Sequence, residues 1–198
     1  MTSSGWGMAA GTRRRPPDAE PGAGRVLASA MAPSSSDPIP PRESAPDRVV
    51  YTRLPGEIRH PNLVRLYRHW EMVRGTRAMP SRAEFDPLAL PDLLGNLLLI
   101  DVLRDPLRFR YRLIGSRLTE RVGRDMTGRF FDEVPEPLYR ERLCDWHGGV
   151  ERERVPRAGT TARRLLERCE PYEILTLPLS ADGTNVDMTL TGLYYLTP

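Results

Sequence analysis

The chain has 198 residues, 39% of them hydrophobic and 28% charged, and this composition favours one soluble domain with a tail. A membrane span is excluded, because no stretch approaches roughly 18 consecutive apolar residues. All 29 basic residues are arginine, so a Schiff-base lysine for pyridoxal phosphate and a phosphate-loop lysine are both excluded. The net charge is only +3, because 26 acidic residues almost balance the arginines, and we expect no nucleic-acid partner and no membrane partner.

Residues 1–48 form a segment rich in backbone breakers. They contain 8 prolines and 5 glycines, a composition typical of disordered chain, and we predict a disordered tail over 1–48. A signal peptide is not favoured, because Arg13–Arg15 are followed by proline and acidic residues instead of an apolar run. The two cysteines, Cys144 and Cys169, have no metal-ligand or Cys-x-x-Cys spacing. We therefore expect a cytoplasmic protein.

The first strong periodic signal is an amphipathic helix over 62–75. Asn62 can cap its start and Gly75 can end it. Its apolar residues recur at helical spacing: Leu63, Leu66, Tyr67, Trp70 and Val73. Such a stripe must be buried, either inside its own domain or against a second copy of the chain, and the sequence leaves both open.

A β-hairpin is predicted next, with strands over 97–103 and 108–113. The second strand alternates with period two, so Phe109, Tyr111 and Leu113 share one face and Arg108, Arg110 and Arg112 share the other. The three arginines can bind phosphates or an acidic partner. Alternatively, they form the wet face of a sheet and pair with Asp101 and Glu173 on neighbouring strands.

The second half of the chain predicts one long helix and three more strands. The helix spans Leu138–Val155, with Gly148 and Gly149 weakening it. The strands are predicted over 161–168, 172–179 and 186–195. The resulting order closes as an α+β fold, a five-stranded antiparallel sheet with helices on one face, preceded by the amphipathic N-terminal helix.

This order and several local motifs resemble a known family. The motifs are Trp70 with Arg74–Gly75, Met79–Arg82, Phe85–Pro87, Phe109–Gly115, Gly123–Gly128 and Leu177–Gly183. Together they resemble the stand-alone PAS-like domains of alphaproteobacteria, formerly catalogued as a domain of unknown function, and the resemblance covers about residues 60–196. It implies a PAS fold used in sensing or protein interaction, with no established reaction and no named ligand or cofactor.

A ligand pocket between the long helix and the sheet is one hypothesis for this fold. Its candidate residues are Trp70, Tyr111, Leu143, Trp146, His147, Met188 and Tyr194, and the same side chains can equally fill a core. His147 lies in the helix where haem-sensing PAS domains carry their iron ligand; the simpler interpretation is a histidine packed beside Trp146. Cys144 lacks the surrounding segment of flavin-photosensing PAS domains, so we expect an unreactive thiol.

Enzymatic activity is not expected. No carboxylate pair is placed near a histidine or serine in a catalytic pattern, and no metal site is predicted. The preferred hypothesis is a sensory module without its own output domain, acting on a protein partner or as a homodimer through the N-terminal helix. The interaction candidates are Leu63, Leu66, Tyr67, Trp70, Arg108, Arg110 and Arg112. The alternative is a receptor whose main act is binding a small molecule or a haem-type cofactor.

Overall fold

Six antiparallel strands form one sheet in the computed structural model of the chain, which describes residues 50–52, 58–165 and 168–196. The strands are β1 Val50–Thr52, β2 Leu97–Leu103, β3 Arg108–Ile114, β4 Arg157–Leu165, β5 Arg168–Leu179 and β6 Met188–Tyr195. Their order across the sheet is β1-β4-β5-β6-β2-β3. The five predicted strands are confirmed as β2 to β6. The disordered tail predicted over 1–48 lies outside the described residues.

Strand β1 was not predicted. It pairs with β4, placing Val50 opposite Thr160, and its three residues are too few for a periodic signal. Strands β4 and β5 also begin earlier than predicted, at Arg157 and Arg168. Gly159 obscured the start of β4 in the sequence, although it pairs with Ile174 in the ladder.

Within the described ranges, three α-helices and three short 3₁₀ helices accompany the sheet. The α-helices are α1 Pro61–Arg74, α2 Ser116–Val122 and α3 Pro137–Glu153, and the 3₁₀ helices are Pro87–Ala89, Pro91–Asn96 and Phe131–Glu133. The N-cap of α1 is His60, whose Nδ1 accepts a hydrogen bond from the Asn62 N–H at 3.3 Å. The prediction of Asn62 as the cap is thus wrong by two residues, because Pro61 occupies the first helical position, where its missing N–H costs nothing.

Helices cover both faces of the sheet. Helix α3 lies on one face, where Nε1 of Trp146 donates to Oγ1 of Thr176 at 2.8 Å. Helix α1 lies on the other, so close to β6 that a Cβ on Gly192 would come within 2.6 Å of Leu63 Cδ2 and 2.8 Å of Leu66 Cδ2. The apolar stripe of α1 therefore packs inside its own domain.

A β-bulge changes which side chains of β3 face α3. Leu99 pairs with Leu113 and Ile100 pairs with Tyr111, so one extra residue of β3 is accommodated between them. A bulge of this kind reverses the alternation beyond it. The prediction that Leu113 shares a face with Tyr111 is therefore wrong: Leu113 lies on the α1 side, 50% exposed.

The two adjacent glycines of α3 give a matched prediction. A Cβ on Gly148 would meet nothing within 4 Å, whereas a Cβ on Gly149 would overlap the Arg157 guanidinium, which lies over the Trp146 ring. Since alanine is favoured over glycine in a helix by about 1 kcal/mol, Gly148→Ala should raise the free energy of unfolding by about that amount. Gly149→Ala should displace Arg157 and give no gain. Urea unfolding of both variants tests this, and equal shifts would contradict it.

Candidate functional site

An apolar cavity of about 80 Å³ lies between α3 and the sheet, and we call it the α3-side cavity. The sheet contributes Leu98, Ile100, Tyr111, Ile114, Ile174 and Leu193, and the helices and loops contribute Leu118, Met126, Phe131, Leu143 and His147. Its polar lining includes Thr191 and the exposed Arg124. A few polar groups in an apolar wall are typical of small-molecule sites.

His147 is the most deeply buried ionisable group at this cavity. It is 3% exposed, and its Nδ1 is hydrogen-bonded to Oγ1 of Thr189 at 2.9 Å. The rings of Phe109 and Phe131 lie 5.8 and 5.2 Å from the imidazole, centroid to centroid. Burial, reinforced by the positive charge of Arg157, lowers the pKa of His147 to about 3. The imidazole is therefore neutral at physiological pH.

The buried imidazole predicts a pH dependence of stability. The pKa of His147 is 6.5 unperturbed and about 3 in the fold, so between these values the unfolded chain binds a proton that the folded chain excludes. The stabilisation is complete above the higher value and is lost at about 1.4 kcal/mol per pH unit as pH falls through this window. His147→Gln should remove this part of the decline. Urea unfolding at about pH 7 and about pH 5 tests it, and identical declines in both proteins would contradict it.

Residues at the α3-side cavity do not fit a haem. A cavity of about 80 Å³ is too small for the macrocycle. Within residues 50–52, 58–165 and 168–196, no group of three His, Cys, Asp or Glu side chains could hold a metal ion. The interpretation of His147 as a packed core histidine agrees with this geometry.

A chain of hydroxyls links α3 to the two central strands. Trp146 donates from Nε1 to Oγ1 of Thr176, and that oxygen lies 2.9 Å from Oγ1 of Thr191 on β6. Thr176, Thr189 and Thr191 are all buried. These threonines are not among the residues that the sequence predicted for a site. Their alternation with Met188 and Leu190 is the signal, but it does not show that both faces are covered.

The structure divides the predicted pocket residues between the two faces. Tyr111, Leu143 and His147 line the α3-side cavity. Trp146 lines an adjoining recess of about 30 Å³ together with Leu143. The other three candidates, Trp70, Met188 and Tyr194, are not brought to this site.

Met188 and Tyr194 are absent from the α3-side cavity because successive side chains of a strand point to opposite faces of the sheet. On β6, Thr189 and Thr191 point toward α3, so Met188 and Tyr194 point toward α1. The Tyr194 ring accordingly stacks on His60, with centroids 3.9 Å apart. Trp70 belongs to α1 itself and donates from Nε1 to the Pro178 carbonyl at 2.9 Å.

Three of the interaction candidates on α1 are unavailable to a partner. Leu63, Leu66 and Trp70 are almost completely buried against the chain's own sheet, which corrects their interpretation as contact residues for another molecule. Tyr67 is half-buried and donates its hydroxyl hydrogen bond to Glu71 at 2.8 Å. The burial of this stripe follows from the close approach of α1 to Gly192.

The three arginines of β3 form ion pairs within the domain. Arg110 donates to Asp101 from Nε at 3.0 Å and from Nη2 at 2.7 Å, and Arg112 adds a longer contact at 3.4 Å. Arg108 donates to Asp132 at 2.8 Å. Asp101 is thus the partner that the sequence predicted.

Glu173, the other predicted partner of these arginines, is used differently. Its carboxylate accepts hydrogen bonds from the backbone N–H groups of Arg59 and His60, at 2.8 and 2.7 Å. The carboxylate therefore fixes the start of α1 on the sheet. The prediction that Glu173 pairs with the arginines of β3 is wrong. Glu173 lies on β5, and strands β6 and β2 lie between β5 and β3.

Cys144 has the environment of an unreactive thiol. Partial burial, together with the negative charges of Asp132 and Asp145, raises its pKa. Since the thiolate is the reactive form, a raised pKa lowers the reactivity at neutral pH.

Comparison with known proteins identifies the fold family. A family model described as a PAS domain matches residues 58–195, so the chain belongs to the PAS domain family, a class of sensory and signalling modules. Among solved structures, it is similar to the PAS domain of BvgS from Bordetella pertussis, with 16% sequence identity and a TM-score of 0.44, covering 68% of this chain and 88% of that one. No curated protein sequence matches the chain.

Across the described ranges, no helix is both long enough and apolar enough to cross a bilayer.

Proposed function

We propose that the protein is a sensory module that contacts a protein partner or a second copy of itself, and that a small molecule in the α3-side cavity tunes this contact. One observation carries the proposal: successive residues of β5 and β6 line, in turn, the cavity and the surface on which α1 packs. On β6, Thr191 lines the cavity, while its neighbour Gly192 lies under Leu63 and Leu66 of α1.

The shared strands provide a physical route between the two faces. A ligand shifts a protein only by binding one conformation better than another. Because interiors are close-packed, a change in the volume of the cavity must be absorbed by the strands that line it. Those strands carry Glu173 and Gly192, which fix the position of α1, so α1 is the element expected to respond.

The outer face of α1 is the contact surface in this proposal. Arg65, Arg68 and Met72 recur at helical spacing on that face, and Met72 is 70% exposed. Arg65 is already paired with Asp92, so Met72 and Arg68 remain for a partner that combines an apolar patch with an acidic side chain. The contact through α1, whether with a protein partner or with a second copy, is therefore proposed for this face and not for the buried stripe.

Solution mass tests the contact. Light scattering should report a dimer for the wild type and a monomer for Met72→Glu, whose exposed position keeps the fold intact. Arg152→Glu, an exposed charge change on α3, is the control and should remain dimeric. A wild type that stays monomeric contradicts the homodimer, and a dimer that persists in Met72→Glu contradicts this face.

The ligand is tested by native mass spectrometry of the purified full chain. We expect a retained small molecule in the wild type and its loss in Leu143→Trp, because Leu143 lines the cavity and the larger side chain fills it. Leu138→Trp makes the same change at a 76% exposed position of the same helix and should retain the molecule. Equal retention in both variants would place the ligand elsewhere, and none in the wild type would contradict ligand tuning.

A second candidate function is a receptor whose main act is ligand binding. The apolar lining with His147 and Thr191 as polar groups supports this alternative. It predicts that the ligand is retained and that Met72→Glu does not change the oligomeric state measured by light scattering. Neither function includes a catalytic step, because the sequence places no carboxylate pair near a histidine or serine in a catalytic pattern. Both are proposed for the cytoplasm, because Cys144 and Cys169 have no metal-ligand or Cys-x-x-Cys spacing.

A further inference from the structure

A second cavity, of about 220 Å³, lies on the opposite face of the sheet from the α3-side cavity. Its wall on the sheet is aliphatic, formed by Leu97, Leu99, Leu113, Leu179 and Leu190. Phe85 and Arg82, from the segment between α1 and β2, form the other side. We call it the leucine cavity.

The walls of the leucine cavity select an apolar occupant. Seven leucines and a phenylalanine offer no hydrogen bonds to water, and apolar cavities of about 150 Å³ take up molecules the size of benzene. By that comparison, 220 Å³ has room for an aliphatic chain of about eight carbons. Leu113 is 50% exposed at the rim, so such a chain can enter from solvent.

Arg82 gives the cavity one charged group. Its Nη1 donates to the Phe85 carbonyl at 2.9 Å, which holds the half-buried guanidinium in place. Within the described part of the chain, no carboxylate pairs with Arg82. A guanidinium has five N–H donors, so the remaining donors can form a two-point contact with a carboxylate.

A second positively charged group lies on the same face of the sheet, next to the Leu99–Leu113 pair. Leu99 pairs with Leu113, and one step along the hairpin Asp101 pairs with Arg110. Arg110 and Arg112 share the single carboxylate of Asp101, which leaves this group with an excess positive charge. That charge attracts anions toward the rim of the leucine cavity.

From these observations we propose that the leucine cavity binds a medium-chain aliphatic carboxylate. The hydrocarbon tail lies among the leucines of β2, β3, β5 and β6, and the carboxylate is held by Arg82. This site is distinct from the α3-side cavity, since the two lie on opposite faces of the sheet.

Calorimetric titration of the full chain with sodium octanoate tests the proposal. We expect saturable binding that weakens by about tenfold or more in Arg82→Gln, which removes one charge-assisted contact. Octan-1-ol has the same tail without the charge and should bind wild type and Arg82→Gln equally. Leu113→Glu should also weaken octanoate binding, because it places a negative charge at the rim.

A matched control separates the two cavities. Octanoate should still bind saturably when Val122→Trp fills the α3-side cavity, and adding Arg82→Gln to that variant should still weaken binding. Octanoate binding that is absent, that is equal in wild type and Arg82→Gln, or that is lost in Val122→Trp would overturn the proposal. A dimer that Leu113→Glu converts to a monomer, with no octanoate bound, would also overturn it and assign this face to a second copy of the chain.

Discussion

Replacing Trp70 by alanine is expected to lower the free energy of unfolding by about 3–5 kcal/mol, the range for truncating a buried tryptophan. Trp70 is 2% exposed, so the change leaves a large void between α1 and the sheet. It also removes the donor that satisfies the Pro178 carbonyl. Urea unfolding monitored by circular dichroism measures the loss.

Met72→Ala is the control for this experiment, because Met72 lies on the same helix with its side chain in solvent. Its expected effect is within about 0.5 kcal/mol, as for other exposed positions. If Trp70→Ala and Met72→Ala were equally mild, α1 would not be part of the core. For the same reason, substitutions of Trp70 cannot test a partner surface, since they destabilise the domain whether or not a partner is bound.

Glu173→Ala should cost on the order of 3 kcal/mol, since hydrogen bonds to charged groups contribute about 1.5–3 kcal/mol each. The carboxylate is 4% exposed, and its loss leaves the N–H groups of Arg59 and His60 without their acceptor. Glu173→Gln retains one acceptor oxygen and should fall about halfway. Thermal or urea unfolding of both variants measures the effect.

Glu170, also on β5, is the matched control. Its carboxylate accepts from Arg121 at the surface, a type of ion pair that contributes at most about 1 kcal/mol. A Glu170→Ala loss as large as that of Glu173→Ala would show that removing a charge from β5, and not releasing the start of α1, causes the destabilisation.

The order of the elements was predictable because periodicity depends only on local sequence. The stripe from Leu63 to Trp70 and the alternation around Tyr111 each indicate one element type. Which face an element covers depends on tertiary packing, and this is where the predictions were wrong. Leu113 lies on the opposite face from Tyr111 because of a β-bulge, and no residue type in the sequence signals that bulge. Glu173 accepts a hydrogen bond from the backbone of His60, which is far away in the sequence.

The candidate site was predictable in part for the same reason. Tyr111, Leu143 and His147 are placed together by two elements that the sequence indicated correctly. Trp70, Met188 and Tyr194 were grouped with them because the sequence did not reveal that α1 lies across the sheet. The buried threonines were missed because a threonine on a strand has the same pattern whether its face is wet or covered.

The central claim is that the cavity and α1 are joined through β5 and β6, and amide hydrogen exchange tests it most directly. With Leu143→Trp filling the cavity, we predict that exchange of the α1 amides from Leu66 to Trp70 changes by about tenfold, while Leu138→Trp leaves it unchanged. Exchange that changes in α3 and in the cavity-lining strands, but stays the same throughout α1, would contradict the coupling of the two faces.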